Sequence, residues 1–231
     1  MEKMTDLKKF YESYWEYRKK IKHLAIRNMP KRIIMIANLI SVKDKIDILD
    51  IGCGEGGLGI LLKSKYKDRI SIFGWDISKT ALEMAKKHYD QVKQLDIEEE
   101  KNLAKVINKK FDYIVVSEVL EHLVNPDDVL EKLKSLLKKN GHFIVTFPNT
   151  AFWKYRLQLL FGHFPKQHLY EESEHLHYWT LPSFKKFLKK HKLKMKKMEC
   201  DFKILDNLHL TFLGKLFPNF FGMQIIIKCK K

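Results

Sequence analysis

The chain has 231 residues, 45% of them hydrophobic, and a formal net charge of +16 from 44 basic and 28 acidic side chains. That length suits one α/β domain with room for an appended cap, and the apolar content excludes a disordered chain. Cys53, Cys200 and Cys229 are far apart and odd in number, which excludes a disulfide framework or a zinc cluster and points to a reducing cytoplasm.

Met1 to Asp6 lacks a signal-peptide pattern, and no apolar run approaches the ~18 residues of a transmembrane segment. Residues 5–40 read as helical. Phe10, Tyr11, Tyr14, Trp15 and Tyr17 form an aromatic cluster ahead of Arg18, Lys19 and Lys20, suited to pack on a sheet edge or to act as a lid. Pro30 starts a second helix with Ile33, Ile34, Ile36, Ala37 and Ile40 as its buried stripe. Residues 1–44 thus form an N-terminal helical lid region.

Ile46, Ile48, Leu49 and Ile51 make a β-branched apolar run, the pattern of a buried strand. Asp50 stands at its end, followed by Gly52, Gly54, Gly56 and Gly57, and then Leu58, Leu61 and Leu62 at helical spacing. Strand, glycine turn and helix start together read as a nucleotide-binding crossing. The acid two residues before the first glycine suits a ligand with an ammonium group and would repel a pyrophosphate. Ile70 to Trp75 is a second strand ending at Asp76, where an acid can accept both ribose hydroxyls of an adenosine.

Ser78 caps a helix carrying Ala81, Leu82, Ala85 and Tyr89. Val92 to Leu95 is a short strand, and the Asp96 after it can meet an adenine amino group or cap a turn. Phe111 to Val116 is the fourth strand. Asn125 and Pro126 open a helix with Val129, Leu130, Leu133, Leu136 and Leu137 inward, ended by Asn140 and Gly141. His142 to Phe147 is the fifth strand. Alternating strands and helices imply an α/β fold, a doubly wound parallel sheet with helices on both faces. Asp76, Asp96, Ser117 and Pro148 then lie with the Gly52 turn at the carboxyl ends of the strands, along one crevice.

Residues 150–180 interrupt the alternation with Phe152, Trp153, Tyr155, Phe161, Phe164, Tyr170, Tyr178 and Trp179 among Lys154, Arg156 and Lys166. This reads as an aromatic and basic cap insert over the crevice, and Leu157, Leu159, Leu160 and Phe161 could also rest on a membrane surface. Thr180 to Ser183 starts a helix with Phe184, Phe187 and Leu188 inward, and two closing strands follow near 195–204 and 223–228. The lysine pairs Lys185-Lys186, Lys189-Lys190 and Lys196-Lys197 read as solvated helix faces, or as a surface for nucleic acid, anionic lipid or a phosphorylated substrate.

The turn Asp50, Gly52, Gly54, Gly56 resembles motif I of the class I S-adenosylmethionine (SAM) methyltransferases. With Asp76 and the segment Glu118 to His122 it resembles the group that includes the ubiquinone-pathway O-methyltransferases. Residues 147–162 are similar to MetW-like proteins and to methyltransferases encoded among glycan-assembly enzymes. MetW lacks the glutamates and histidine of Glu118 to His122. The resemblance implies a seven-stranded sheet with an antiparallel last strand. It implies that Asp50 and the Gly52-Cys53-Gly54 backbone hold the methionine end of SAM, that Asp76 holds the ribose, that Ile77 packs on adenine, that Asp96 and Ile97 take the adenine edge, and that Ser117 lies under the methionine portion.

Glu118, Glu121 and His122 share one side if their turn is helical, and two carboxylates with an imidazole can bind a divalent cation. Ubiquinone-pathway and small-RNA 2′-O-methyltransferases share the Glu-x-x-Glu-His pattern with a further histidine downstream, a place that His175 matches here. The resemblance therefore implies Glu118, Glu121, His122 and His175 as ligands of Mg, Mn or Zn, or His122 acting alone as base with His175 second. The expected acceptor is a hydroxyl of a small molecule, sugar, glycan or lipid-linked amphipathic compound. RNA is an alternative suited to the +16 charge, and a noncatalytic SAM-binding regulatory role is a third.

Overall fold

The computed structural model describes residues 2–21, 28–165, 175–202 and 210–231. Seven strands form one sheet: β1 (Ile46–Ile51), β2 (Ile70–Asp76), β3 (Gln91–Gln94), β4 (Phe111–Ser117), β5 (Leu137–Pro148), β6 (Lys194–Asp201) and β7 (Gln224–Lys230). Their order is β3-β2-β1-β4-β5-β7-β6. The first five are parallel, and β7 runs antiparallel between β5 and β6. β1, β4 and β5 lie inside the sheet with both faces covered, which is why β1, β4 and the Phe143–Phe147 part of β5 are mostly apolar rather than alternating.

Among the described residues the helices are α1 (Glu2–Ile21), α2 (Lys31–Leu39), α3 (Gly57–Tyr66), α4 (Lys79–Ala85), α5 (Leu103–Val106), α6 (Pro126–Lys134), α7 (Trp153–Leu160), α8 (Leu181–Lys190), α9 (Thr211–Leu216) and α10 (Pro218–Phe221). Ile36 of α2, Leu58 and Leu62 of α3 and Leu82 of α4 bury against one face of the sheet. Leu130 and Leu133 of α6 and Phe184 and Leu188 of α8 bury against the other. Phe184 stacks on Phe147 of β5 at 4.1 Å between ring centroids. A phenyl ring fully buried in this way contributes about 1.5–3 kcal/mol.

Three expectations from the sequence change. Leu136 and Leu137 do not extend α6. Ser135 turns back on Lys132, the Leu136 carbonyl accepts from Phe111 N at 2.8 Å, and β5 opens at Leu137. Asn140 and Gly141 therefore lie inside a twelve-residue strand, where the pairing with β4 shifts register between Phe111 and Tyr113. Ile34 is exposed, because the inward face of α2 is made by Ile36, Ala37 and Leu39. The closing strands run 194–201 and 224–230, and the Tyr170 and Lys166 of the cap lie outside the described residues.

The carboxyl end of the sheet is tied down from both sides of β5. Asn149 N donates to Met223 O at 2.9 Å, and its side-chain amide donates to Asn219 O and Gly222 O. Thr150 donates twice to the Trp179 carbonyl. These bonds bring 175–180 and the α10–β7 junction beside the strand ends. Thr180 then caps α8 with a reciprocal bond to Ser183, as the Thr-Leu-Pro-Ser run leads one to expect.

Candidate active site

Between β1 and α3 the chain makes the glycine turn, with Gly52, Gly54 and Gly56 all at positive φ (67°, 51° and 90°). Any other residue would be strained there. The turn is held from β2: Gly52 N and Cys53 N donate to Trp75 O, and Gly54 N donates to Asp76 Oδ2 at 2.9 Å. Asp76 Oδ1 accepts from Ser78 N at 2.9 Å. Both acids of this end are buried. Asp50 accepts from Tyr89 Oη at 2.6 Å. Burial, against the Tyr89 hydrogen bond and with help from the Asp76 charge, pushes the Asp50 carboxyl up to about 7. Burial likewise raises Asp76 against its backbone donors. Such acids are poised to gain from a cationic or hydroxyl-bearing ligand.

Asp50, Gly52, Cys53, Gly54, Asp76, Ile77, Asp96, Ile97 and Ser117 all line one cavity of about 650 Å³. The Cys53 side chain is buried below the turn, where a Cβ on Gly74 would come within 2.8 Å of its sulfur. Asp96 Oδ1 accepts from Glu98 N and Glu99 N, so one oxygen caps the turn after β3 while the residue faces the cavity.

The other end of the cavity holds Glu118, His122 and His175. Here the expected four-ligand set divides. Glu118 has φ 55°, the left-handed region that a non-glycine residue enters at a cost. That conformation sends its carboxylate toward β5 and β7: Thr146 Oγ1 donates to it at 2.7 Å, Gln224 Nε2 at 2.8 Å, and Arg32 lies at 3.4 Å. Only Leu120–His122 turns, as one 3-10 turn, so Glu118 does not share a helical face with the others. Glu121, His122 and His175 do converge, with one ligand atom of each within 4.8 Å of the rest. The His122 and His175 rings are 4.6 Å apart.

What delivers His175 is the backbone. Leu176 N and His177 N both donate to the Glu121 carbonyl, at 2.7 and 3.0 Å, and pin the segment onto the turn after β4. Glu121 is fully buried, and neither carboxylate oxygen has a hydrogen-bond partner among the described residues. Burial, reinforced by the Glu118 charge, holds its carboxyl well above the usual range. Two oxygens buried beside two imidazoles make the donor set of a hard or borderline divalent cation. A bare carboxylate in that place is otherwise costly.

Helix α1 roofs both ends. Trp15 sits over the glycine turn, where a Cβ on Gly54 would lie 2.7 Å from its ring. Arg18 pairs with Glu55 of the same turn. The Glu12 carboxylate accepts from Lys79 N and Thr80 N at 3.0 Å and from the Thr80 hydroxyl at 2.7 Å. Partial burial opposes its ionisation, but those hydrogen bonds hold its carboxyl below the usual range. Tyr11 reaches the other end, edge-on to His122 at 5.9 Å.

Residues 14–197 match the methyltransferase-domain family. The chain belongs to that family. A ubiquinone biosynthesis O-methyltransferase of Pelagibacter ubique is 30% identical over 212 residues, covering 86% of this chain and 87% of that protein. A protein of the same name from Coxiella burnetii is 29% identical over 157 residues, covering 67% of this chain and 64% of the relative, just under two thirds of its length. A SAM-dependent methyltransferase of Thermotoga maritima superposes with a TM-score of 0.63 at 16% identity, covering 96% of each chain, and so shares the fold.

In this member of the methyltransferase-domain family several residues of the cavity escape a reading of the sequence. Tyr89 reads as one apolar position of a helix stripe, yet its hydroxyl meets Asp50. Arg32 lies among the apolar residues of α2 and reaches Glu118, and Gln224 opens the last strand and reaches the same carboxylate. Thr146 is an ordinary strand residue whose hydroxyl supports Glu118. Tyr89, Arg32 and Gln224 stand apart from the motifs, and Thr146 precedes the 147–162 segment without belonging to it, so no local signal marks them.

Proposed function

We propose that this methyltransferase moves the SAM methyl to a hydroxyl oxygen of a small or lipid-linked amphipathic acceptor. The carrying observation is the single cavity with acids at one end and the paired imidazoles of His122 and His175 at the other. Asp50 would take the SAM ammonium, and Arg32, whose Nε is buried with no hydrogen-bond partner among the described residues, its carboxylate. Asp76 would take the ribose, and Ile77, Asp96 and Ile97 the adenine. Ser117 would lie under the methionine portion. Residues 1–44 would serve as the lid and 150–180 as the acceptor cap of one domain.

The sulfonium already carries a good leaving group, so the protein aligns acceptor oxygen, methyl and sulfur and takes up one proton. His122, which faces the cavity, is the assigned base, with His175 packed against it. Glu121, His122 and His175 also have the donor set to hold Mg, Mn or Zn; Glu118 belongs to the support of the loop. Such an ion, when bound, would supply Lewis acidity to the acceptor hydroxyl.

RNA as acceptor draws on the +16 charge. Much of the lysine lies elsewhere, however. Lys194 pairs with Lys230 at the start of β6, whereas Gln224 of the cavity pairs with Asp201 at the other end of that strand. The separation is roughly 20 Å.

The test is a panel of hydroxyl, amine and RNA acceptors incubated with methyl-labelled SAM, with and without chelator. Label on oxygen of an amphipathic hydroxyl compound is the expected result. Label on amines or RNA alone overturns the acceptor reading. Turnover unchanged by EDTA removes the ion and leaves His122 as a lone base.

A further inference from the structure

After α4 the chain makes one 3-10 turn, Lys86–His88, and Tyr89 leaves it in extended backbone. The next residue fixes this point to β2. Asp90 N donates to Ile72 O at 2.9 Å, and Asp90 Oδ2 accepts from Ile72 N at 2.7 Å. Tyr89 thereby joins the buried residues between α3, α4 and the sheet.

Its ring fills a slot that two glycines leave open inside regular elements. A Cβ on Gly59 of α3 would come within 2.6 Å of the ring carbon Cε2, and one on Gly74 of β2 within 2.9 Å of Cδ1. His88 O and Cys53 Sγ crowd the same two places, at 2.6 and 2.8 Å. Neither glycine has positive φ, so neither is required by its own backbone. Glycine weakens a helix or strand interior, and what it gives there is room for a neighbour.

Packing accounts for a ring in this slot but not for a hydroxyl, since phenylalanine would fill it as well. The phenol oxygen reaches β1 and donates to Asp50 Oδ2 at 2.6 Å, with both residues buried. Burial and the Asp50 charge hold the phenol well above its usual range, so it stays a donor through neutral pH. A donated O–H stabilises a carboxylate more than a carboxylic acid. Two other charged groups act on Asp50: Asp76 from β2 opposes its charge, and Arg32 from α2 favours it. The Cys53 thiol beside them is kept neutral by burial and by both acids.

We propose that Tyr89 is a positioning residue for the cofactor, its hydroxyl holding the Asp50 carboxylate charged and turned to meet the ammonium of SAM. This role rests on Asp50 as the partner of that ammonium, and variants at the two positions separate the two assignments.

The experiment is calorimetric titration of the full chain with SAM at about pH 6 and about pH 9. Tyr89→Phe keeps the ring in its slot and removes one oxygen, and circular dichroism should match wild type. Loss of the donor should move the Asp50 titration up by about one pH unit. Tyr89→Phe should therefore bind SAM about tenfold more weakly than wild type at the lower pH, and within about threefold of it at the higher, where the carboxylate is charged without help. In an Asp50→Asn background the same change should alter affinity by less than about twofold, because the coupled partner is gone. Unchanged affinity of Tyr89→Phe at the lower pH overturns the proposal. So does a loss of equal size at both pH values, or one that persists with asparagine at position 50, since either marks a packing effect. Asp50→Asn that binds SAM like wild type overturns the Asp50 assignment and the role of Tyr89 with it. Asp50→Asn that weakens binding while Tyr89→Phe does not leaves Asp50 in place and removes Tyr89 alone.

Discussion

The two ends of the cavity are built in opposite ways. At the acid end, Asp50, the glycine turn, Asp76 and Asp96 each sit at or just past the end of one of three adjacent parallel strands, β1, β2 and β3. Parallel crossovers deliver successive strand ends to the same edge, so a residue at a strand end reaches the site without any further instruction. At the imidazole end, Glu121 and His122 come from a turn after β4, His175 from the segment before α8 and Gln224 from β7, while Arg32 of α2 pairs with Glu118 there and also acts on the Asp50 charge of the first end. That end exists only through tertiary hydrogen bonds. The first end takes its residues from adjacent strand ends and ties them with bonds between neighbouring strands, such as Gly54 N to Asp76, whereas the second gathers turns and segments from distant parts of the fold.

The comparison is sharpest if chemistry and cofactor binding separate. His122→Ala should lower kcat by about 10²–10⁴-fold, the usual span of general acid–base catalysis, with SAM affinity by calorimetry unchanged. An equal loss of SAM affinity would mean the two ends are not independent.

Asp76→Ala should act on the other end, weakening SAM by about 10²-fold through loss of hydrogen bonds to the ribose. Since Asp76 also accepts from Gly54 N and Ser78 N, the same change should cost about 1–3 kcal/mol in a denaturant titration. A variant of full stability with full affinity would break the account of the glycine turn.

Asp50 gives a pH signature to the acid end alone. Its carboxyl titrates at about 7 in the free protein because of burial. A bound ammonium favours the carboxylate, so binding expels a proton whenever the free protein is protonated. Affinity should therefore rise as pH rises toward 7 and level off above it, by at most about tenfold per pH unit. Calorimetry across that range checks it, and Asp50→Asn should flatten the profile. Affinity that falls toward neutrality would reverse the assigned sign.

The smallest effect concerns the roof. Arg18→Ala removes the partly buried pair with Glu55, and Glu12→Gln weakens the charged cap on α4. Each should speed SAM release by about 3–10-fold, the equivalent of a hydrogen bond of ~1 kcal/mol, as read by stopped-flow Trp fluorescence. Unchanged release would place α1 as a passive packing helix.

The strands, the helices and the acid end were legible in the chain because their signals are local. A β-branched run with glycines beyond it carries the local signal of a strand and a turn, and α8 announces itself through Thr180, Ser183 and the Phe184–Leu188 spacing. The donor set of the imidazole end was legible as residue types and not as geometry. Glu118 and Glu121 are equivalent in the pattern. A φ of 55° turns the first toward Thr146 and Gln224, while the turn after it buries the second beside His175. That choice lies in contacts between segments far apart in the chain, above all the two amides of Leu176 and His177 on the Glu121 carbonyl, and no periodicity or motif encodes them.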